Sequence, residues 1–390
     1  MNWVDVVIVV LVIAAVGNGL MSGALTQALS LGGLALGVFL GADLAPTFTR
    51  TATNPNTKGA IALVCVFGTA GLLAAVGRVL GSWAARRLRA TPLRSIDAGL
   101  GVLTAVVVTL LVAWLLGNML ANDPTRPLAT EVQRSAILRF LDRHLPPAPP
   151  VVARIQRLLD AGGLPQVFAQ LEPHAAPTLA LPASPLVQAA FGHAAASTLK
   201  IEGIACSQIQ EGSGFVVAPG LVVTNAHVLA GVRQPFILVN GVKTAAVPIL
   251  FDPNLDIAVM RDPSINEPSL QLAATTVPRG TAGAVVGYPG GGPLTARAAV
   301  VLTELRAIGR NIYGTSTTQR NIYEIEGVVR PGNSGGPLIE PDGTVIGVVF
   351  ARSSLNNDIG YALTSTDVRT QTLRAETLDA PAPTGPCTAG

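Results

Sequence analysis

Charge is what this sequence has least of. Asp, Glu, Lys and Arg together make up 13% of its 390 residues, about half the share found in ordinary soluble domains. A chain so poor in charge and 49% hydrophobic is expected to hold part of itself in lipid. The formal net charge of +3 is too small to argue for a nucleic-acid partner. Cysteine is sparse too: Cys65, Cys206 and Cys387, with no Cys-x-x-Cys pair. Zinc and dithiol redox chemistry are therefore not indicated, and no metal or cofactor is expected. Histidine occurs at His144, His174, His193 and His227 only, so any imidazole chemistry must use one of these four.

What the chain has instead is long apolar runs. Residues 4–20, 24–44, 60–80 and 100–120 are each close to the roughly 20 residues that cross a bilayer. A secretory signal is excluded for the first run, which lacks a basic start and is followed by three more. Arg86, Arg87, Arg89 and Arg94 crowd the loop after the third run, whereas the loop at 45–59 holds only Arg50 and Lys58. The excess of Lys and Arg marks the cytoplasmic side, which puts both ends of the chain outside the plasma membrane. Arg126, Arg134 and Arg139 after the fourth run weigh against that orientation.

Residues 1–121 thus read as a four-helix transmembrane region. Residues 122–196 read as a proline-rich linker with short amphipathic helices. One apolar face there comprises Val132, Ala136, Leu138 and Leu141, and a second Val151, Ile155, Leu158 and Leu159. The linker serves as a spacer, or as the site of a propeptide cleavage. From 197 to 390 the pattern becomes short β-type runs split by Gly, Pro, Asn and Asp, which predicts an all-β domain. Runs are expected at 214–217, 221–224, 236–239, 246–250, 257–260, 284–286, 298–301, 327–329, 338–339, 345–350 and 359–363, then a helix at 364–376 and a proline-rich tail.

Chemistry concentrates in three boxes of this last region. Gly332-Asn333-Ser334-Gly335-Gly336-Pro337 offers a hydroxyl nucleophile on bare backbone. Gly332, Asn333 and Ser334 are candidates for an oxyanion hole, whose donors are worth about 3–4 kcal/mol to the barrier. A serine hydroxyl needs a base. His227 ends the apolar run Leu221–Thr224, whereas the other three histidines lie among Pro and Ala. Asp256, set among apolar residues in Leu255-Asp256-Ile257-Ala258, is the carboxylate expected to orient it. The order His227, Asp256, Ser334 is one of the three known chain orders for such a triad.

With their neighbours, these boxes resemble those of trypsin-like serine proteases of the HtrA type. That resemblance implies a chymotrypsin-like double β-barrel, with six-stranded barrels at about 197–273 and 279–370 and the triad in the cleft between them. It implies that Val348, Val349, Phe350 and Ala351 pair with the substrate backbone, and that Val328 lies at the base of the specificity pocket. With no acid at that position, small or apolar side chains are expected before the scissile bond. Asn333 stands where trypsin-like zymogens hold an activating aspartate, so activation by a new N-terminal amine is not expected. No room remains after the barrels for the PDZ module usual in HtrA proteins.

Trp3-Val4-Asp5-Val6-Val7 and Ala28-Leu29-Ser30-Leu31 are similar to the CvpA (colicin V production) family of four-span proteins. Outside the membrane Cys206 and Cys387 meet oxidising conditions, so a disulfide between them is expected to tie the tail to the first barrel. As a whole, the chain resembles the MarP-like group of actinobacterial membrane serine proteases. That implies a periplasmic endopeptidase acting on envelope proteins or peptides in acid and oxidative stress. A free imidazole titrates near pH 6.5, so turnover is expected to be highest at neutral pH or above. The alternative is a non-proteolytic membrane scaffold or transport component whose barrel binds partners.

Overall fold

A computed structural model of the chain describes residues 2–49, 55–88, 93–121, 127–146, 167–168, 172, 176–205, 208–353 and 355–388. Cys206, Arg50, Arg89 and the second amphipathic face (Val151, Ile155, Leu158, Leu159) lie outside the described residues. The chain divides into two units, Met1–Leu116 with Ser135–Leu141, and Gly117–Arg134 with Asp142–Gly390.

The first unit is helical. α1 (Trp3–Thr49) is two helices in series, broken where Gly23 adopts φ 71° and ψ 167°, a conformation available to glycine but not to a residue with a Cβ. α2 (Pro55–Leu88) runs back along the second half of α1, and the two backbones approach closely. A Cβ on Gly77 would lie 2.1 Å from Leu29 O. α3 (Leu93–Ala121) follows. Apolar side chains such as Ile13, Phe39, Phe67 and Leu103 point outward. Among the described residues, two helical stretches, Trp3–Gly41 and Ser95–Asn118, are long and apolar enough to cross a membrane. This amends the expected four: the first two runs form one kinked helix, and the third lies in α2, which carries Arg78 and Arg86.

Asp5 is fully buried and has a structural role. Its carboxylate accepts Ser135 Oγ at 2.6 Å and the Ile137 N–H at 3.1 Å. It therefore caps the start of α5 (Ala136–His144), which follows α4 (Pro127–Arg134). A helix N-terminus with unmet amide donors favours such an anion.

The second unit is built of two largely antiparallel sheets. The first has the order β5-β4-β1-β2-β3-β7-β6. Its strands are β1 (Thr198–Ala205), β2 (Gln208–Ala218), β3 (Leu221–Thr224), β4 (Phe236–Val239), β5 (Val242–Ala245), β6 (Val247–Asp252) and β7 (Ile257–Arg261). The second has the order β12-β9-β10-β11-β14-β13-β8 and closes through a β12–β13 pairing. It comprises β8 (Gln271–Leu272), β9 (Ala282–Gly287), β10 (Thr295–Arg310), β11 (Thr317–Glu326), β12 (Pro337–Ile339), β13 (Thr344–Arg352) and β14 (Ile359–Thr364). Closure removes the open edges of this sheet.

The division between the sheets comes earlier than the expected 273–279. β8 already pairs in parallel with Thr344–Val345 of β13. The expected strand at 327–329 is instead β11, ending at Glu326. Helix α6 (Ser184–Ala194) buries Ala190 and Ala194 in the core shared with Val286 and Ile339. The end of the presumed spacer is therefore part of this unit. α7 (Ala226–Leu229) is a single turn after β3, and α8 (Ser365–Ala375) follows β14.

Candidate active site

The base and the acid meet first. β3 is buried along its whole length and delivers the chain to Asn225, the N-cap of α7, whose four residues are all buried. His227 Nδ1 lies 2.8 Å from Asp256 Oδ2 and 3.1 Å from Oδ1. The backbone N–H of His227 also donates to Asp256 Oδ1 at 2.9 Å, and Asn225 Nδ2 donates to Asp256 O at 2.9 Å. Asp256 is fully buried and left-handed, with φ 66°, which Asp tolerates better than bulkier residues. Its turn is organised by Asp252, whose Oδ1 accepts the N–H groups of Asn254 and Leu255 at 2.9 and 3.0 Å.

The serine loop lies against the same strands. Ser213 of β2 ties the two sheets together at this point. Its N–H donates to Ser334 O at 2.8 Å, and its Oγ donates to Gly332 O at 2.7 Å while accepting the Tyr288 N–H at 2.9 Å. Gly332 has φ 92° and Gly335 φ 83°. A Cβ on Gly335 would fall 2.1 Å from Ser213 O and 2.3 Å from Thr224 Oγ1. The protein's own backbone thus demands these glycines. Ser334 is buried, and its Oγ has no hydrogen-bond partner among the described residues. The N–H of Asn333 donates to Arg330 O at 2.9 Å, and its Oδ1 accepts the Arg330 N–H at 3.0 Å. Asn333 therefore braces the loop, which corrects its expected part as an oxyanion donor.

Arg320 of β11 went unnoticed in the sequence. It is buried; its Nε donates to Asn254 O at 2.8 Å and its Nη2 to Arg310 O at 2.9 Å, and its guanidinium lies 5.8 Å from the centroid of the Phe350 ring. Burial pushes its pKa down, while Asp256 and Asp252 nearby act to hold its charge.

Comparison with known proteins agrees with this geometry. Residues 212–348 match the trypsin-like peptidase domain family, and residues 4–146 match the colicin V production protein family. The serine protease Rv3671c of Mycobacterium tuberculosis H37Rv is 34% identical over 396 residues, spanning 99% of this chain and 98% of that protein. The chain belongs to the family of this mycobacterial serine protease. It is a trypsin-like serine protease with an apolar helical region before the catalytic domain. The crystal structure of the active form of Rv3671c protease superimposes with a TM-score of 0.52 at 35% identity, covering 56% of this chain and 99% of that one. Human serine protease HTRA4 is 36% identical, over 41% of this chain and 34% of its own length.

Within this protease fold the expected substrate-pairing run needs correction. Val348 is paired on both sides, with Pro337 and with Leu363. The Val349 N–H donates to Gly336 O, and its carbonyl accepts the Gly335 N–H. Neither is open to a substrate strand; Phe350 and Ala351, though side-chain buried, lie beyond the end of β12. Val328 lines a cleft of about 450 Å³ with Leu181, Val187 and Ala298. None of His227, Asp256 and Ser334 is among the residues lining that cleft.

Proposed function

We propose that this protease is a membrane-anchored endopeptidase that cleaves extracytoplasmic proteins or peptides with Ser334, His227 and Asp256. The observation that carries this is the double contact of the buried Asp256 carboxylate with His227 Nδ1 at 2.8 and 3.1 Å. An acceptor on that side keeps the proton on Nδ1 and leaves Nε2 free to take the Ser334 proton. The unpartnered Ser334 hydroxyl then engages Nε2 when substrate binds, since catalytic hydrogen bonds often tighten only in the substrate complex. Attack on the peptide carbonyl puts negative charge on its oxygen. The N–H groups of Gly332 and Ser334 receive that charge, and His227 returns the proton to the leaving amine. Phe350 and Ala351 offer the edge for an extended substrate.

The colicin V-type match and the apolar helices support anchoring. The Arg-rich segment near 86–94 supports a cytoplasmic loop and a periplasmic protease. The bridge between Cys206 and Cys387 is retained in this reading. Cys65 is free among the described residues, and the tail that carries Cys387 is bonded to the first sheet's region through Gly231 and Val232. Acid and oxidative stress resistance is the proposed physiological role. Fluorophosphonate labelling of membranes carrying the full chain tests the chemistry. Labelling confined to Ser334 and lost in Ser334→Ala is expected. Labelling elsewhere, or a cellular role unaffected by Ser334→Ala, would favour the scaffold reading.

A further inference from the structure

A cleft of about 410 Å³ opens among α1, α2 and α3, far along the chain from the protease residues. Its walls are of two kinds. Leu11, Ala14, Leu31, Ala105 and Val108 are apolar, while Asn18, Ser22, Thr26, Gln27 and Arg78 are polar. No carboxylate lines it. Most of the polar groups are already engaged. Ser22 Oγ donates to Asn18 Oδ1 at 3.1 Å, Gln27 Nε2 to Gly101 O at 2.9 Å, and Ser30 Oγ, also on the wall, to Ala74 O at 3.2 Å. Thr26 differs: it is 4% exposed, and its Oγ1 has no hydrogen-bond partner among the described residues. Arg78 has no acidic partner among them either. Asp97, the nearby acid, is turned to the helix break, where it accepts the Leu25 N–H at 3.0 Å.

We propose that this cleft binds the phosphate of an anionic phospholipid headgroup, with Arg78 and Thr26 as its donors. A cationic side chain among membrane helices calls for a counter-charge, and the planar guanidinium matches phosphate oxygens two at a time. The break at Gly23 gives the polar residues a place beside interrupted helix, where membrane proteins build ligand sites. The apolar walls select a phosphodiester carrying acyl chains over free phosphate. The lipid source rests on the reading that these helices lie in a bilayer.

The test uses the full chain, purified in mild detergent and examined by native mass spectrometry. Phosphatidylglycerol, phosphatidylcholine and inorganic phosphate are offered in separate arms. Bound phosphatidylglycerol in the wild type is expected to fall about tenfold in Arg78→Gln, as loss of a charge-assisted pair implies. It should fall less in Thr26→Val and be partly kept in Arg78→Lys, with helicity and peptidase activity unchanged in all three. Equal phosphatidylglycerol binding by wild type and Arg78→Gln overturns the site. Equal retention of phosphatidylcholine overturns the headgroup chemistry, and Arg78-dependent binding of phosphate alone overturns the lipid source. Extraction of membranes with alkaline carbonate is a separate readout. Release of the chain overturns the bilayer reading, whereas retention with Arg78-independent binding overturns only this inference.

Discussion

At the scale of single residues, the site depends on a few atoms with no substitutes. Ser334→Ala should lower peptide turnover by about four to six orders of magnitude and leave the melting temperature unchanged, since the lost hydroxyl bonds nothing among the described residues. Gly335→Ala should behave differently. Its Cβ would collide with Ser213 O, so both stability and activity fall, as calorimetry and a peptide assay would show. Arg320→Gln removes the donors to Asn254 O and Arg310 O. An unmet buried carbonyl costs about 1–3 kcal/mol, and the turn that presents Asp256 is expected to loosen. The drop should appear in kcat rather than KM.

Among elements, the segments outside the barrels hold the most information about regulation. Glu324 of β11 is buried and accepts the Ala176 N–H at 2.8 Å, while Tyr361 of β14 donates to Glu172 Oε1 at 2.5 Å. The pre-barrel segment is thus stapled to the second sheet through carboxyl groups. Burial raises the Glu324 pKa, and the bond from Ala176 only partly offsets this. A carboxyl raised on folding gives stability that is fully present below its unfolded value of about 4.5 and is lost as pH rises through its folded value. Glu324→Gln removes that dependence. The melting temperature of wild type minus that of the variant should therefore decrease from acid to neutral pH; a flat difference would refute the assignment. The tail is stapled as well. The Gly231 N–H donates to Thr384 O, the Ala382 N–H to Pro248 O, and Thr384 Oγ1 to Val232 O. Deleting residues 380–390 should cost about 2–3 kcal/mol in hydrogen bonds, at about 1 kcal/mol each, and about 2–5 kcal/mol more through loss of the proposed bridge. It should also weaken activity, because Gly231 follows directly on the turn that carries His227.

For the whole molecule, the proposed anchoring and orientation follow from apolar helices joined in one chain to a trypsin-like protease domain. Thiol counting on the unreduced chain should find Cys65 alone reactive; three reactive thiols would remove the proposed bridge. Protease added outside intact cells with a permeabilised outer layer should reach residues 197–390 and spare the Arg86–Arg94 region if the proposed orientation holds.

Much of this was legible in the order of residues. The three boxes proposed to be catalytic, the apolar runs and strands such as Leu221–Thr224 and Phe236–Val239 carry their meaning locally, in side-chain alternation and backbone permissiveness. Strand β11 was not legible at its true place, because its buried polar residues Arg320 and Glu324 break the alternation. Ser213 and Arg320 act across long stretches of chain, and only folding sets their donors beside the acceptors they serve. Likewise Val349 looked open to substrate until its backbone proved to be bonded to the serine loop. Composition can name a nucleophile and a base; which hydrogen bonds remain free around them is decided by packing, since every buried amide and carbonyl must find a partner somewhere in the fold.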